Sequence, residues 1–139
     1  MHGRADRRRP QLVSGLHERY CILDSDIVFF RDFDLARFEY PNSIPLLTMA
    51  NEVTRDQPWH SRWVDTSHQL LGLPTPPFPA ADFIGHIIFW DKQTTRALIA
   101  RIEEVTGVEW IEALCRTHVF AEYMLTPNAD AVEHSSKTP

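Results

Sequence analysis

An apolar segment interrupted by two aspartates constrains this chain more than any other stretch. Residues 20–23 read Tyr-Cys-Ile-Leu, the next three are Asp24, Ser25 and Asp26, and an apolar run resumes at residues 27–30. Four apolar residues without polar alternation predict a strand buried on both faces, as in a parallel sheet covered by helices. Unpaired charges are costly inside such a strand. We therefore expect the aspartates at its carboxyl end, where open α/β sheets bind ligands.

Composition and charge limit the functions that this chain can have. Its 139 residues fit one domain, and 43% hydrophobic with 24% charged residues is ordinary for a globular protein. A formal net charge of −5 argues against a nucleic-acid binder. Every apolar run falls well short of the ~18 residues that predict a membrane span. Cys21 and Cys115 lack zinc-type spacing, so we interpret them as reduced core thiols of a cytoplasmic protein.

The order of the predicted elements indicates an α/β fold. Apolar runs predict the strands, and apolar residues spaced three to four apart predict the helices. The strands are expected at residues 20–23, 46–50 and 83–90, the helices at residues 59–71, 92–105 and 109–116, and a further apolar element at residues 120–125.

Glycine, proline and a capping aspartate mark the boundaries of these elements. Gly72 and Gly107 are predicted to end the first two helices, and Asp91 is predicted to cap the start of the second. Residues 73–79 contain four prolines and are predicted to form a loop, because proline fits neither a helix interior nor a central strand.

Both ends of the chain are predicted to lie outside the folded domain. Residues 1–10 are basic with almost no apolar side chains, which predicts a disordered start, and residues 127–139 read as a polar tail. The first strand begins at residue 20, and no earlier segment could supply its neighbours in a doubly wound sheet. We therefore expect that the chain lacks an N-terminal portion of the domain.

The spacing of Asp24 and Asp26 suits a divalent metal. In an extended backbone both side chains fall on the same side, roughly 6–7 Å apart at the backbone. Mg²⁺ is commonly held by one or two carboxylates together with substrate phosphates, so the pair could bridge a metal to a diphosphate. A polar turn with Ser25 at its tip is the alternative. Asp32 and Asp34 repeat the spacing without a preceding buried strand, which predicts a solvated turn or a helix start.

The Asp-Ser-Asp segment and the apolar run after it resemble the Asp-x-Asp region of nucleotide-sugar glycosyltransferases with the GT-A fold. More narrowly, the chain resembles a bacterial family of suspected glycosyltransferases that is still classed as a domain of unknown function. The resemblance spans residues 11–126. Further segments that carry it are His60-Ser61-Arg62-Trp63, Leu70-Leu71-Gly72-Leu73-Pro74, Phe83-Ile84-Gly85 with Trp90, Ile102-Glu103 with Gly107 and Trp110, and Glu122-Tyr123.

The resemblance implies a partial GT-A-like fold, Rossmann-like as in nucleotide-diphospho-sugar transferases, that comprises the Asp-x-Asp and acceptor half over residues 11–126. It implies hexosyltransferase-like transfer from a nucleotide-diphosphate sugar to an unknown glycan, lipid or small-molecule acceptor. Asp26 is then the first choice for contact with Mn²⁺ or Mg²⁺. Asp24 would reach the ribose or a metal-bound water, and Ser25 completes the nucleotide-sugar site.

Five other residues are candidates for the reaction site. Glu122 is the candidate general base for an acceptor hydroxyl, because a carboxylate in a semi-apolar run can accept a proton near neutral pH. Trp59, His60, Trp63 and His86 are candidate acceptor-binding residues. A hydrogen-bonded structural role is the alternative for His86, and core packing is the alternative for Trp63.

Two other functions stay open at this level. The first is a non-catalytic α/β fragment or binding module. The second is a metal-dependent phosphatase or phosphotransferase that uses Asp24 and Asp26, which would need a downstream lysine, and the chain contains only Lys92 and Lys137. GT-A enzymes sometimes add a late histidine as a metal ligand, for which His134 is the candidate, with a disordered tail as the alternative.

Overall fold

A computed structural model describes residues 17–32, 34 and 46–128 of the chain. Within these ranges it forms a small mixed α/β fold with two short antiparallel sheets, which confirms the predicted α/β class at this level. The predicted disordered start at residues 1–10 lies outside the described residues, as does the predicted tail of residues 127–139 from residue 129 onward, including His134. The first two residues of that tail, Pro127 and Asn128, instead belong to a 3₁₀ helix.

Strands and helices alternate irregularly along the described chain. The strands are β1 (Arg19–Leu23), β2 (Met49–Val53), β3 (Ala80–Asp82) and β4 (Ile87–Asp91), and the helices are α1 (Pro58–Leu71), α2 (Lys92–Thr106) and α3 (Trp110–Thr117). Two 3₁₀ helices, Glu122–Met124 and Thr126–Asn128, follow α3. None of the helices in this described part is long and apolar enough to cross a membrane.

The strand before the two aspartates forms as predicted, but its environment differs from the prediction. β1 pairs antiparallel with β4 and has no second partner strand among the described residues. Ile22 and Leu23 remain 39% and 41% exposed. The expectation of a parallel sheet with β1 buried on both faces is therefore wrong, because a two-stranded ladder leaves part of its apolar surface uncovered.

Two predicted strands are displaced along the sequence. β2 begins at Met49 and pairs antiparallel with β3 through an irregular register, three residues later than expected. β4 begins only at Ile87, because the buried carboxylate of Asp82 accepts a hydrogen bond from the backbone N–H of Ile84 (3.0 Å) and turns the chain after β3. A Cβ atom on Gly85 would lie 2.8 Å from a methyl carbon of Leu47, so a larger residue there would require the exposed Leu47 side chain to move.

The three helices match their predicted boundaries to within one residue. Gly72 and Gly107 end α1 and α2 in the left-handed conformation, with φ of 64° and 70°. The carboxylate of Asp91 accepts hydrogen bonds from the backbone N–H of Thr94 (2.7 Å) and from its hydroxyl (2.6 Å), which confirms the predicted N-cap of α2.

Removing the Asp91 cap is expected to destabilise the fold. We expect Asp91→Ala to lower the free energy of unfolding by about 0.5–2 kcal/mol, since two N-terminal donors of α2 lose their acceptor. Glu109→Ala is the matched control, because Glu109 precedes α3 without a capping hydrogen bond from its side chain. Urea denaturation followed by circular dichroism measures both. Equal losses in the two variants would contradict the capping role.

Two hydrophobic cores hold the elements together. The first joins the three helices, and Arg101 of α2 donates a hydrogen bond from Nε to the carbonyl of Leu71 at the end of α1 (2.9 Å). Trp110 packs against this core. Its buried members are Leu70, Leu71, Leu98, Ile102, Ala113 and Leu125.

The second core lies between β2, β3, α1 and the 3₁₀ segment. Trp63 packs against it, which confirms the core interpretation of that residue. The proline-rich residues 73–79 form the predicted loop, and the guanidinium of Arg55 lies over the ring of Phe78 at 3.7 Å. The buried members of this core are Val53, Val64, Ala80, Ala121 and Met124.

The two cysteines are free, but they are not both core thiols. Cys21 is half-buried in β1, and burial raises the pKa of its thiol. Cys115 is exposed on α3, so its interpretation as a core residue is wrong. The spacing of apolar residues around Cys115 predicts helix α3, but it does not show that the thiol lies on the exposed face of that helix.

Candidate metal centre

A tight turn positions the two aspartates immediately after β1. The backbone N–H of Ile27 donates to the carbonyl of Asp24 (3.3 Å), so Ser25 and Asp26 form the tip of a four-residue turn. The N–H of Ser25 donates to the Asp24 carboxylate (3.1 Å). Asp24 and Asp26 are exposed at the end of the strand, as the cost of burying unpaired charges predicts.

Antiparallel pairing brings His86 to this turn. Leu23 pairs with Ile87, and the backbone N–H of Asp24 donates to the carbonyl of His86 (3.1 Å), which extends the β1–β4 ladder by one step. The Nδ1 atom of His86 lies 3.5 Å from a carboxylate oxygen of Asp24. The turn and the residue before β4 therefore meet at the same end of the sheet.

The side chains of Asp24, Asp26 and His86 can act together on one cation. One potential ligand atom from each of them lies within 4.8 Å of the other two. All three side chains are exposed, so an ion could enter without rearrangement of the fold. Two carboxylate oxygens with one imidazole nitrogen are a donor set that fits Mn²⁺ well and also allows Mg²⁺, with water or phosphate oxygens completing the coordination.

Tyr123, which follows Glu122 in the first 3₁₀ helix, is influenced electrostatically by Asp24 of the aspartate turn. Desolvation raises the pKa of the Tyr123 phenol above its ordinary value of 10.0, and the negative charges of Glu122 and Asp24 raise it further. The Tyr123 hydroxyl therefore stays protonated at neutral pH and can donate a hydrogen bond. Glu122 itself is exposed, so its expected semi-apolar surroundings are not found.

The other candidate acceptor residues lie on the first turns of α1. The rings of His60 and Trp63 meet edge to face with their centroids 4.7 Å apart, and Trp59 is exposed. Trp63 packs against the second core, so Trp59 is the exposed aromatic side chain of this group. The acceptor role of these three residues stays a prediction.

The structure disfavours a phosphatase that pairs Asp24 with Lys92. Arg19 pairs with Asp91, so Lys92 lies at the opposite end of the β1–β4 ladder from Asp24, roughly 20 Å along the strands. Its ammonium group lies 3.3 Å from Glu18. Asp32 and Asp34 are exposed, in agreement with the predicted solvated turn.

The sequence predicts neither the position of His86 beside the two aspartates nor any role for Tyr123. In the expected parallel sheet the start of β4 would not meet the end of β1, so His86 would not be linked to the aspartates. The signal that could have found it is the pairing of two apolar runs of similar length, one followed by Asp24 and the other preceded by His86.

Comparison with known proteins returns one family. Residues 15–134 match a family of unknown function, DUF6492, which covers most of the chain. No curated protein matches the sequence. No solved structure matches it either.

Proposed function

The chain belongs to this family of unknown function, DUF6492, and we propose that it is a metal-dependent glycosyltransferase. The reaction would transfer a sugar from a nucleotide-diphosphate donor to the hydroxyl of a glycan, lipid or small-molecule acceptor. The observation that carries the proposal is the convergence of Asp24, Asp26 and His86 within 4.8 Å at the end of β1. The resemblance of the Asp-Ser-Asp segment to the Asp-x-Asp region of GT-A enzymes supports the same conclusion.

Each residue of the centre has a distinct part in this proposal. Asp26, Asp24 and His86 would hold Mn²⁺ or Mg²⁺. When bound, the metal supplies Lewis-acid stabilisation of the charge on the departing diphosphate. Ser25, at the exposed tip of the turn, would donate its hydroxyl hydrogen to a ribose or phosphate oxygen of the donor.

The proposed transfer also needs a general base and a hydrogen-bond donor from the protein. The bond between the sugar C1 and the diphosphate oxygen breaks, a bond from the acceptor oxygen to C1 forms, and the acceptor proton moves to the carboxylate of Glu122. The protonated phenol of Tyr123 can donate a hydrogen bond to an oxygen of either substrate. Trp59, which is exposed, and His60 beside it are the proposed acceptor contacts.

The proposal includes a partial GT-A-like architecture and a cytoplasmic setting. A mixed α/β fold in which an aspartate turn ends a strand is compatible with the Asp-x-Asp half of a GT-A domain. Two free cysteines are compatible with a reducing compartment.

Replacing the proposed base separates binding from catalysis. The full chain is incubated with a panel of UDP- and GDP-sugars in Mn²⁺, and nucleotide release and donor binding are both measured. We expect Glu122→Gln to lower turnover by about 10²–10⁴-fold, which is the usual contribution of a general base, while donor affinity stays within about twofold. Glu112→Gln, on the exposed face of α3, is the control and should leave both unchanged.

The second candidate is a non-catalytic binding module. The exposure of the centre favours it, since the His86 side chain is 79% exposed and catalytic sites usually exclude water from the reacting groups. Metal-dependent donor binding without turnover in the wild-type chain, for every acceptor class tested, would support this candidate over the enzyme.

A further inference from the structure

A small cavity lies beside the second core, away from the residues of the metal centre. Its volume is about 140 Å³. The walls are mainly apolar and include Val64 of α1, Phe83 and Met124. Pro76 of the proline-rich loop also lines it, whereas no residue of that loop belongs to the proposed metal centre. A dry apolar cavity of about 150 Å³ is large enough for one benzene-sized molecule.

The polar groups on the cavity wall are already oriented by internal hydrogen bonds. Nδ1 of His68 lies 2.8 Å from the carbonyl of Val64 and must donate to it, because a carbonyl only accepts. The neutral ring therefore offers Nε2 as an acceptor. The amide nitrogen of Asn128 donates one of its two hydrogens to the carbonyl of Met124 (2.8 Å), and its side-chain oxygen is a second acceptor.

The third polar group has the same character. The hydroxyl of Ser67 is fully buried and donates to the carbonyl of Val64 (2.9 Å), so its remaining capacity is also that of an acceptor. His68 Nε2 and the side-chain oxygen of Asn128 therefore offer acceptors to a ligand, and the second N–H of Asn128 offers one donor. An apolar pocket with a few fixed polar groups is the usual form of a small-molecule site.

We propose that this cavity binds a small neutral molecule with an apolar body of about six carbon atoms and a hydroxyl group that donates to His68 Nε2. Phenol is the simplest probe of this class. The apolar walls take the ring, and His68 Nε2 accepts the hydroxyl hydrogen. The cavity lining does not include Asp24, Asp26 or His86, so phenol binding should not require a metal ion at those residues.

The methionine methyl groups give a direct readout of binding. The chain has three methionines, of which Met124 lines the cavity and Met49 lies in β2 as an internal reference. With ¹³C-labelled methionine methyl groups, phenol should shift the Met124 signal saturably and leave the Met49 signal in place. Met124→Leu assigns the signal.

Two variants test the cavity and its polar wall separately. Ala81→Leu places a larger side chain in the cavity and should remove the binding of phenol and of toluene, whereas Ala100→Leu, on the exposed face of α2, should not. His68→Leu should weaken phenol binding about 5- to 10-fold, as the loss of one hydrogen bond predicts, and leave toluene binding within about twofold. Circular dichroism confirms that each variant is folded.

The results of the phenol and toluene titrations support or overturn the proposal as follows. Saturable phenol binding that weakens in His68→Leu supports it. If neither phenol nor toluene shifts the Met124 signal of the wild-type chain, the proposed site is overturned. Equal affinity for phenol and toluene, with both unchanged in His68→Leu, overturns the assignment of a hydroxyl-bearing ligand.

Discussion

Replacing Asp26 with alanine is expected to abolish the metal-dependent binding of nucleotide sugars. The proposed centre has three protein donors, so the variant would lose one of them together with one negative charge. Loss of an outer-shell partner already costs 10–100-fold in metal affinity, and loss of a direct ligand should cost at least ~100-fold. Calorimetric titration of a nucleotide sugar, in Mn²⁺ and again with a chelator, measures the effect.

The control for this experiment lies in the same part of the chain. Asp32→Ala removes an exposed aspartate of the second Asp-x-Asp, outside the proposed metal centre, and should leave affinity unchanged. Because Asp26 is also exposed, its replacement should change the free energy of unfolding by no more than about 0.5 kcal/mol. Metal-dependent affinity equal to wild type in Asp26→Ala would remove this residue from the centre.

Replacing Leu71 with alanine is expected to cause a large loss of stability. Leu71 is fully buried in the first core, where α1, α2 and α3 meet. Truncation of a buried leucine removes its transfer free energy and leaves a cavity, which costs about 2–5 kcal/mol. A domain of this size is stable by only about 5–15 kcal/mol, so the midpoint of urea denaturation should fall markedly.

An exposed leucine provides the comparison for this prediction. Leu46 is 46% exposed ahead of β2, and Leu46→Ala should cost less than about 1 kcal/mol. The two variants carry the same chemical change, so the difference between them reports burial. Equal destabilisation by the two substitutions would contradict the central position of Leu71 in the helical core.

The helices could be predicted from the sequence because their signals are local. Asp91 at the start of α2 and the glycines at residues 72 and 107 act on the backbone within one turn. These residues fix boundaries whatever the rest of the fold does. The predicted helix limits accordingly agree with the structure to within one residue.

The sheets could not be predicted in the same way, because strand pairing is decided by distant residues. The run from Tyr20 to Leu23 has no alternation, and this pattern favours a strand covered on both faces. Its actual partner is β4, more than sixty residues later, and the two-stranded ladder leaves Ile22 and Leu23 partly exposed. The same pairing decides the candidate site, since only an antiparallel ladder brings His86 to Asp24.

Electron paramagnetic resonance of bound Mn²⁺ tests the central claim most directly. We expect the wild-type chain to bind one Mn²⁺ ion with a spectrum that includes coupling to an imidazole nitrogen. This coupling should disappear in His86→Ala, and binding should be lost in a chain with both Asp24→Ala and Asp26→Ala. A wild-type spectrum of free aqueous Mn²⁺, or nitrogen coupling that persists in His86→Ala, would contradict a metal centre formed by these three residues.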